Sequence, residues 1–190
     1  MKKTALIAAA ALIAGPALAH AGHGDANGFL HGLQHPVFGA DHLLAMLAVG
    51  LWSGFVLPRQ FWAGAAAFMA AMALGAGLSW AGIGFAGGEG VITLSVIAFG
   101  LLTLVSRRGQ AGWITGASLV AIAGFASAHG HAHATEAAGN AAAYLAGFLI
   151  ATAALHLAGV ALARAVAQRP VVQQAPGAGI ALSGLWLMAG

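Results

Sequence analysis

From Pro36 onward the chain passes through six apolar stretches, roughly 36–57, 61–80, 90–106, 111–128, 138–163 and 171–190, with only isolated charges between them. Each approaches the ~20 residues that cross a bilayer as a helix. Lipid offers no partner for the edge of an open sheet, so helices are the form these stretches must take. Charged residues make up 6% of the chain and hydrophobic residues 61%, whereas a soluble domain carries about a quarter charged residues. So few charges do not cover a water-facing surface. The expected architecture is an all-α integral membrane protein, a bundle of about six transmembrane helices. The last stretch is the most broken, because Pro176 and Gly177 interrupt it.

The segment before these stretches has the pattern of a secretory signal peptide over residues 1–19. Lys2 and Lys3 form its basic start, Thr4 to Ala14 its apolar core, and Ala17-Leu18-Ala19 a small-x-small cleavage site. Cleavage there makes His20 the mature N-terminus, outside the inner membrane, and leaves residues 20–190 as one transmembrane domain. The remaining basic residues give the same orientation. Arg59, Arg107, Arg108, Arg164 and Arg169 all fall in alternate connections, which the positive-inside rule places in the cytoplasm. Both mature termini are then periplasmic. Asp25, Asp41, Glu89 and Glu136, and every histidine except His156, belong to the outer side.

Several function classes are excluded at this stage. The net charge of +3 comes from seven Lys and Arg that form no basic stripe, so nucleic acid is not an expected partner. Cysteine is absent, which removes disulfides and thiolate metal ligands. No G-x-x-x-x-G-K-[ST] loop occurs, so this chain does not drive a process with ATP by itself. Nine histidines against four acids is the unusual balance, since ionisable groups are rare in hydrophobic spans and mark function there.

Two clusters concentrate that chemistry. In HPVFGADH, Pro36 suits the first turn of a helix, and a helix continuing from it places His35, Gly39, His42 and Met46 on one narrow face. Gly39 then leaves room for an ion or another helix. Asp41 points about a third of a turn away, either as a direct ligand or as the acceptor that orients His42. In HGHAHATE, a helical backbone puts His129, His133 and Glu136 on one face at i, i+4 and i+7, with His131 pointing elsewhere. Imidazole and carboxylate together suit Ni, Co, Zn or Cu(II) better than Mg or Ca. Alone, the second cluster also reads as a solvated His-rich loop. His156 stands by itself in the fifth stretch, as a further stop for an ion or as a histidine bonded to a neighbouring helix. His20, His23 and His31 line the outer approach as weaker metal candidates. Of the methionines, Met46 alone lies on a motif face.

HPVFGADHLLAMLAVGLW, directly after a signal peptide, resembles the first-span signature of the HupE/UreJ family of nickel and cobalt permeases, built on H-x5-D-H, here His35, Asp41 and His42. The second motif of that family, approximately HG-x-AHG-x-E, is similar to His129, Gly130, Ala132, His133 and Glu136. Ala134 stands where the family commonly has glycine, and His131 is additional. A second nickel/cobalt permease family uses H-x4-D-H, one residue shorter, so the spacing here favours the first. The resemblance implies a permease rather than an enzyme. It would take up Ni2+, or Co2+, as its substrate across the inner membrane, without a prosthetic group, to supply enzymes such as hydrogenase or urease. Two other classes stay open on the residues alone: an intramembrane zinc hydrolase, and a metal-binding membrane subunit that transports nothing.

Overall fold

The computed structural model describes residues 28–84, 88–137, 140–166 and 170–190, except for the side chains of Glu136, Pro170, Val171 and Gln173. The signal segment, His20, His23, Asp25 and Arg169 lie outside the described residues. Among those described there are seven helices and no strand: α1 (Gly28–Phe38), α2 (Ala40–Val56), α3 (Ala63–Trp80), α4 (Gly88–Val105), α5 (Gly112–Glu136), α6 (Ala141–Val166) and α7 (Pro170–Ala189). Helices α3, α4 and α6 are each long and apolar enough to cross a membrane, and α1 with α2 passes the same test as one broken span.

The break between α1 and α2 corrects the reading of HPVFGADH as one continuous helix. The helix begins at Gly28, so Pro36 lies inside its last turn rather than its first. Proline has no N–H to continue the ladder. Gly39 adopts an extended backbone, φ −80° and ψ 114°, and the chain turns by 76° before α2 starts. His35 and His42 therefore stand on two helices facing each other across a bend, not on one face.

Large apolar side chains point outward on the helices, among them Trp113 at 77%, Val120 at 72% and Leu74 at 63% exposure. The interior holds glycine backbone, hydroxyls and imidazoles beside an apolar core built on Trp52, Phe68, Phe99 and Phe148. A helix that is apolar on its outward face as well as its packed one suits lipid as the surrounding solvent. Pairs of glycines set the helix crossings. A Cβ on Gly32 would collide with the Tyr144 carbonyl of α6, and one on Gly147 with the Phe29 carbonyl of α1. Gly50 of α2 and Gly159 of α6 meet in the same reciprocal way, as do Gly75 of α3 against Ser127 and Gly130 of α5 against Met72. Gly54 packs on Val160 and Ala163, whereas Gly112 and Gly116, of the same small-xxx-small type, face open space.

Apart from His156, the described histidines and arginines separate to opposite ends. Arg59 and Arg108 line one recess beside Pro58 and Gln60. The Arg164 guanidinium reaches the Pro58 carbonyl at 3.5 Å and lies 4.3 Å over the Phe61 ring. His42 begins α2 and Arg59 follows its far end, about 25 Å away at 1.5 Å per residue. Helix α5 starts just after Arg108 and carries His129 and His133 near its other end.

Candidate metal centre

Three helices deliver the centre. His35 comes from the last turn of α1, His42 from the first turn of α2, and His133 from the last turn of α5. Each offers a ring nitrogen, and the three nitrogens lie within 4.8 Å of one another. The His35 ring is 5.2 Å from that of His42 and 4.6 Å from that of His133. His42 and His133 are both 5% exposed, and His35 is half-buried, so the cluster is reached from the α1 side.

Protons decide how these rings are used. Asp41 Oδ1 lies 2.5 Å from His42 Nδ1 and also accepts the His42 backbone N–H at 2.8 Å. A carboxylate only accepts, so Nδ1 carries the proton and Nε2 presents its lone pair. That Nε2 points directly at Nε2 of His133. His133 meets that lone pair by donating its own Nε2–H, or, in its other tautomer, turns a second lone pair to the same point, where a cation fits between the two. Carboxylate–histidine–metal chains have this arrangement, in which the acid fixes the tautomer and raises ligand basicity. Asp41 thus bonds to His42, the contact that the second of its two roles requires. Replacing it with asparagine is expected to weaken binding of a divalent transition metal by about 10–100-fold. Titration of the detergent-purified variant measures this, and an unchanged affinity would remove Asp41 from the site.

Gly39 serves this pair, which corrects the expectation that it leaves room for an ion or helix. A Cβ there would sit 2.9 Å from His42 Nδ1 and 3.2 Å from Asp41 Oδ1. The space is taken by the imidazole–carboxylate pair itself.

His129 lies one turn below His133, fully buried, with its ring 5.3 Å from His42. Ser95 Oγ donates to the Ile92 carbonyl at 2.6 Å and stands 2.9 Å from His129 Nε2. One hydroxyl has one proton, so His129 Nε2–H is the donor to Ser95. The Nδ1 lone pair is left without a partner among the described residues. A buried polar atom in that condition costs about 1–3 kcal/mol unless something fills its valence.

The other candidates separate clearly. His131 turns away and meets the Ile83 carbonyl at 2.8 Å, while Trp80 Nε1 donates to the Ala134 carbonyl at 3.3 Å. Together they fasten the α3–α4 connection to α5. Met46 is fully buried in the apolar core. His31 is exposed, one turn before His35, with ring centroids 6.0 Å apart. His156 is fully buried, and its Nδ1 donates to the Thr152 carbonyl at 2.7 Å. Its Nε2 has no partner among the described residues. The side chain of Glu136 lies outside them.

Sequence reasoning missed the aromatic wall. Tyr144, Phe148, Thr152 and His156 recur every fourth residue on the buried face of α6. Phe148 stacks on His133 at 5.1 Å and touches His35 at 5.8 Å. Tyr144 lies 5.4 Å from His31 and 6.2 Å from His35. Phe68 of α3 stands between His129 at 5.6 Å and His156 at 5.0 Å. The i+4 repeat ending on the lone histidine of that span, and containing the one tyrosine of the chain, was the available signal.

Comparison with known proteins agrees with the family resemblance. Protein HupE of Rhizobium leguminosarum bv. viciae is 37% identical over 195 residues, covering 100% of both chains. No solved structure matches the chain. The family profile described as HupE / UreJ protein matches residues 8–187, and with a full-length relative at that identity the chain belongs to the HupE/UreJ family.

Proposed function

We propose that this protein is an inner-membrane permease that takes up Ni2+, or Co2+, from the periplasm through the histidine centre, supplying metalloenzymes such as hydrogenase or urease. One observation carries the reading: His35, His42 and His133 converge from three helices with the His42 lone pair aimed inward by Asp41. Neutral nitrogen ligands without thiolate suit an ion that must bind and then leave. His129, with its unpartnered Nδ1, completes the shell. Ions continue inward past Phe68 to His156, whose Nε2 is likewise unpartnered among the described residues.

The topology belongs to the same proposal. Six spans follow a cleaved signal peptide at 1–19, with α1 and α2 counted as one broken span. Non-helical backbone at membrane depth is tolerated where it lines a site rather than lipid, which suits the bend at Gly39. Arg59, Arg108 and Arg164 gathered at one end support a cytoplasmic location for that end and a periplasmic one for the histidines and both termini.

Uptake of radioactive nickel into sealed liposomes containing the purified protein tests the reading. Accumulation above empty liposomes, suppressed by excess unlabelled nickel, is the expected result. Tight binding without accumulation would sink the permease and favour a hydrolase or a metal-binding subunit.

A further inference from the structure

We propose that His31 and His35 form a second, outer metal site that shares His35 with the three-histidine centre, so that an ion is captured on α1 and handed inward by the shared ring. This rests on the metal-uptake reading above.

The geometry begins with spacing. His31 and His35 are four residues apart on an observed helix, the separation at which two imidazoles project from one face and chelate one transition-metal ion. Their ring centroids are 6.0 Å apart. His31 is exposed while His35 is half-buried, so the pair straddles the boundary between solvent and the centre. Tyr144 backs both rings, 5.4 Å from His31 and 6.2 Å from His35, and narrows the positions they adopt.

Sharing one ligand has a kinetic consequence. An ion held by His31 and His35 exchanges His31 for His42 and His133 without ever being free of His35. Each exchange replaces a nitrogen with a nitrogen, so the ion does not recover its full hydration shell midway. The two sites are mutually exclusive, and one ion occupies the four rings at a time. His31 therefore sets how efficiently dilute metal is caught, while the deeper rings set how fast it passes.

The test separates this site from the centre. In the full-length protein, purified without a histidine tag, His42→Ala/His133→Ala removes the inner pair and leaves His31 and His35. Nickel titration of that variant is expected to retain one weak site, and adding His31→Ala is expected to eliminate it. His20 and His23 are present in both variants, so their contribution cancels. If the double and triple variants bind nickel equally, the outer site does not exist. In an otherwise wild-type chain, His31→Ala is expected to raise the half-saturating nickel concentration for uptake by about tenfold while preserving the maximal rate. His31 is exposed, so folding of this variant is not at issue. An unchanged half-saturating concentration, or a maximal rate that collapses with it, would overturn the hand-off. Failure of wild-type protein to take up nickel would instead reject the underlying permease.

Discussion

His133→Ala is expected to abolish nickel uptake and to weaken nickel binding by more than about 100-fold, since a residue that merely orients a ligand is already worth about 10–100-fold. The physical reason is the facing pair of Nε2 atoms. Asp41 fixes the His42 tautomer, and His42 then directs its lone pair at His133. Removing His133 leaves His42 and His35 as the close nitrogen ligands, with His129 deeper in the bundle. Fewer nitrogens offset less of the dehydration of a divalent ion. Losing a buried ring that stacks on Phe148 also lowers the thermal midpoint, so the comparison is made below that midpoint on monodisperse protein. Wild-type nickel affinity in a folded His133→Ala protein would show that the three rings do not form the site.

Gly130→Val is the second large effect, and it acts through packing. Gly130 lies between His129 and His133, and a Cβ there would meet the Met72 backbone carbonyl of α3. Backbone cannot rotate aside as a flexible side chain does. Close helix approach through small residues is what membrane bundles rely on, and overpacking of this kind costs about 1–3 kcal/mol. The expected result is a lower thermal midpoint in detergent together with weaker nickel binding, because α5 must shift away from α3 to relieve the clash and carries His129 and His133 with it. Gly77→Ala and Gly124→Ala are the controls. Both positions face open space, and alanine favours helix over glycine, so neither property should fall. A Gly130→Val protein as stable as the wild type, with unchanged affinity, would show that the crossing tolerates separation.

The two motifs differ in how far their geometry could be read ahead. HGHAHATE is helical through Glu136, and the i, i+4 relation brings His129 and His133 to the buried side while His131 turns to the Ile83 carbonyl. Periodicity within one helix contains that information. HPVFGADH is different, because its geometry depends on a bend. Pro36 in a last turn and Pro36 in a first turn leave the same local sequence, and only the upstream packing of Gly32 on Tyr144 distinguishes them. Asp41 had two roles open for the same reason. Its bond to His42 follows from where the bend points the imidazole.

The all-helical membrane fold, the family and the kind of ligand available were decided by the sequence alone. Apolar length, scarcity of charge, absence of cysteine and motif spacing are properties of the chain read along itself. Which imidazoles meet was decided only in three dimensions. His42 and His133 are 91 residues apart, and no spacing rule links them. Their meeting depends on glycine-to-backbone contacts that set how closely α3 approaches α5 and how α1 and α2 lie on α6. The same crossings place Phe148 beside His133 and Phe68 between His129 and His156. Contacts between distant segments follow from helix crossing geometry, and that geometry exists only once the whole bundle has packed.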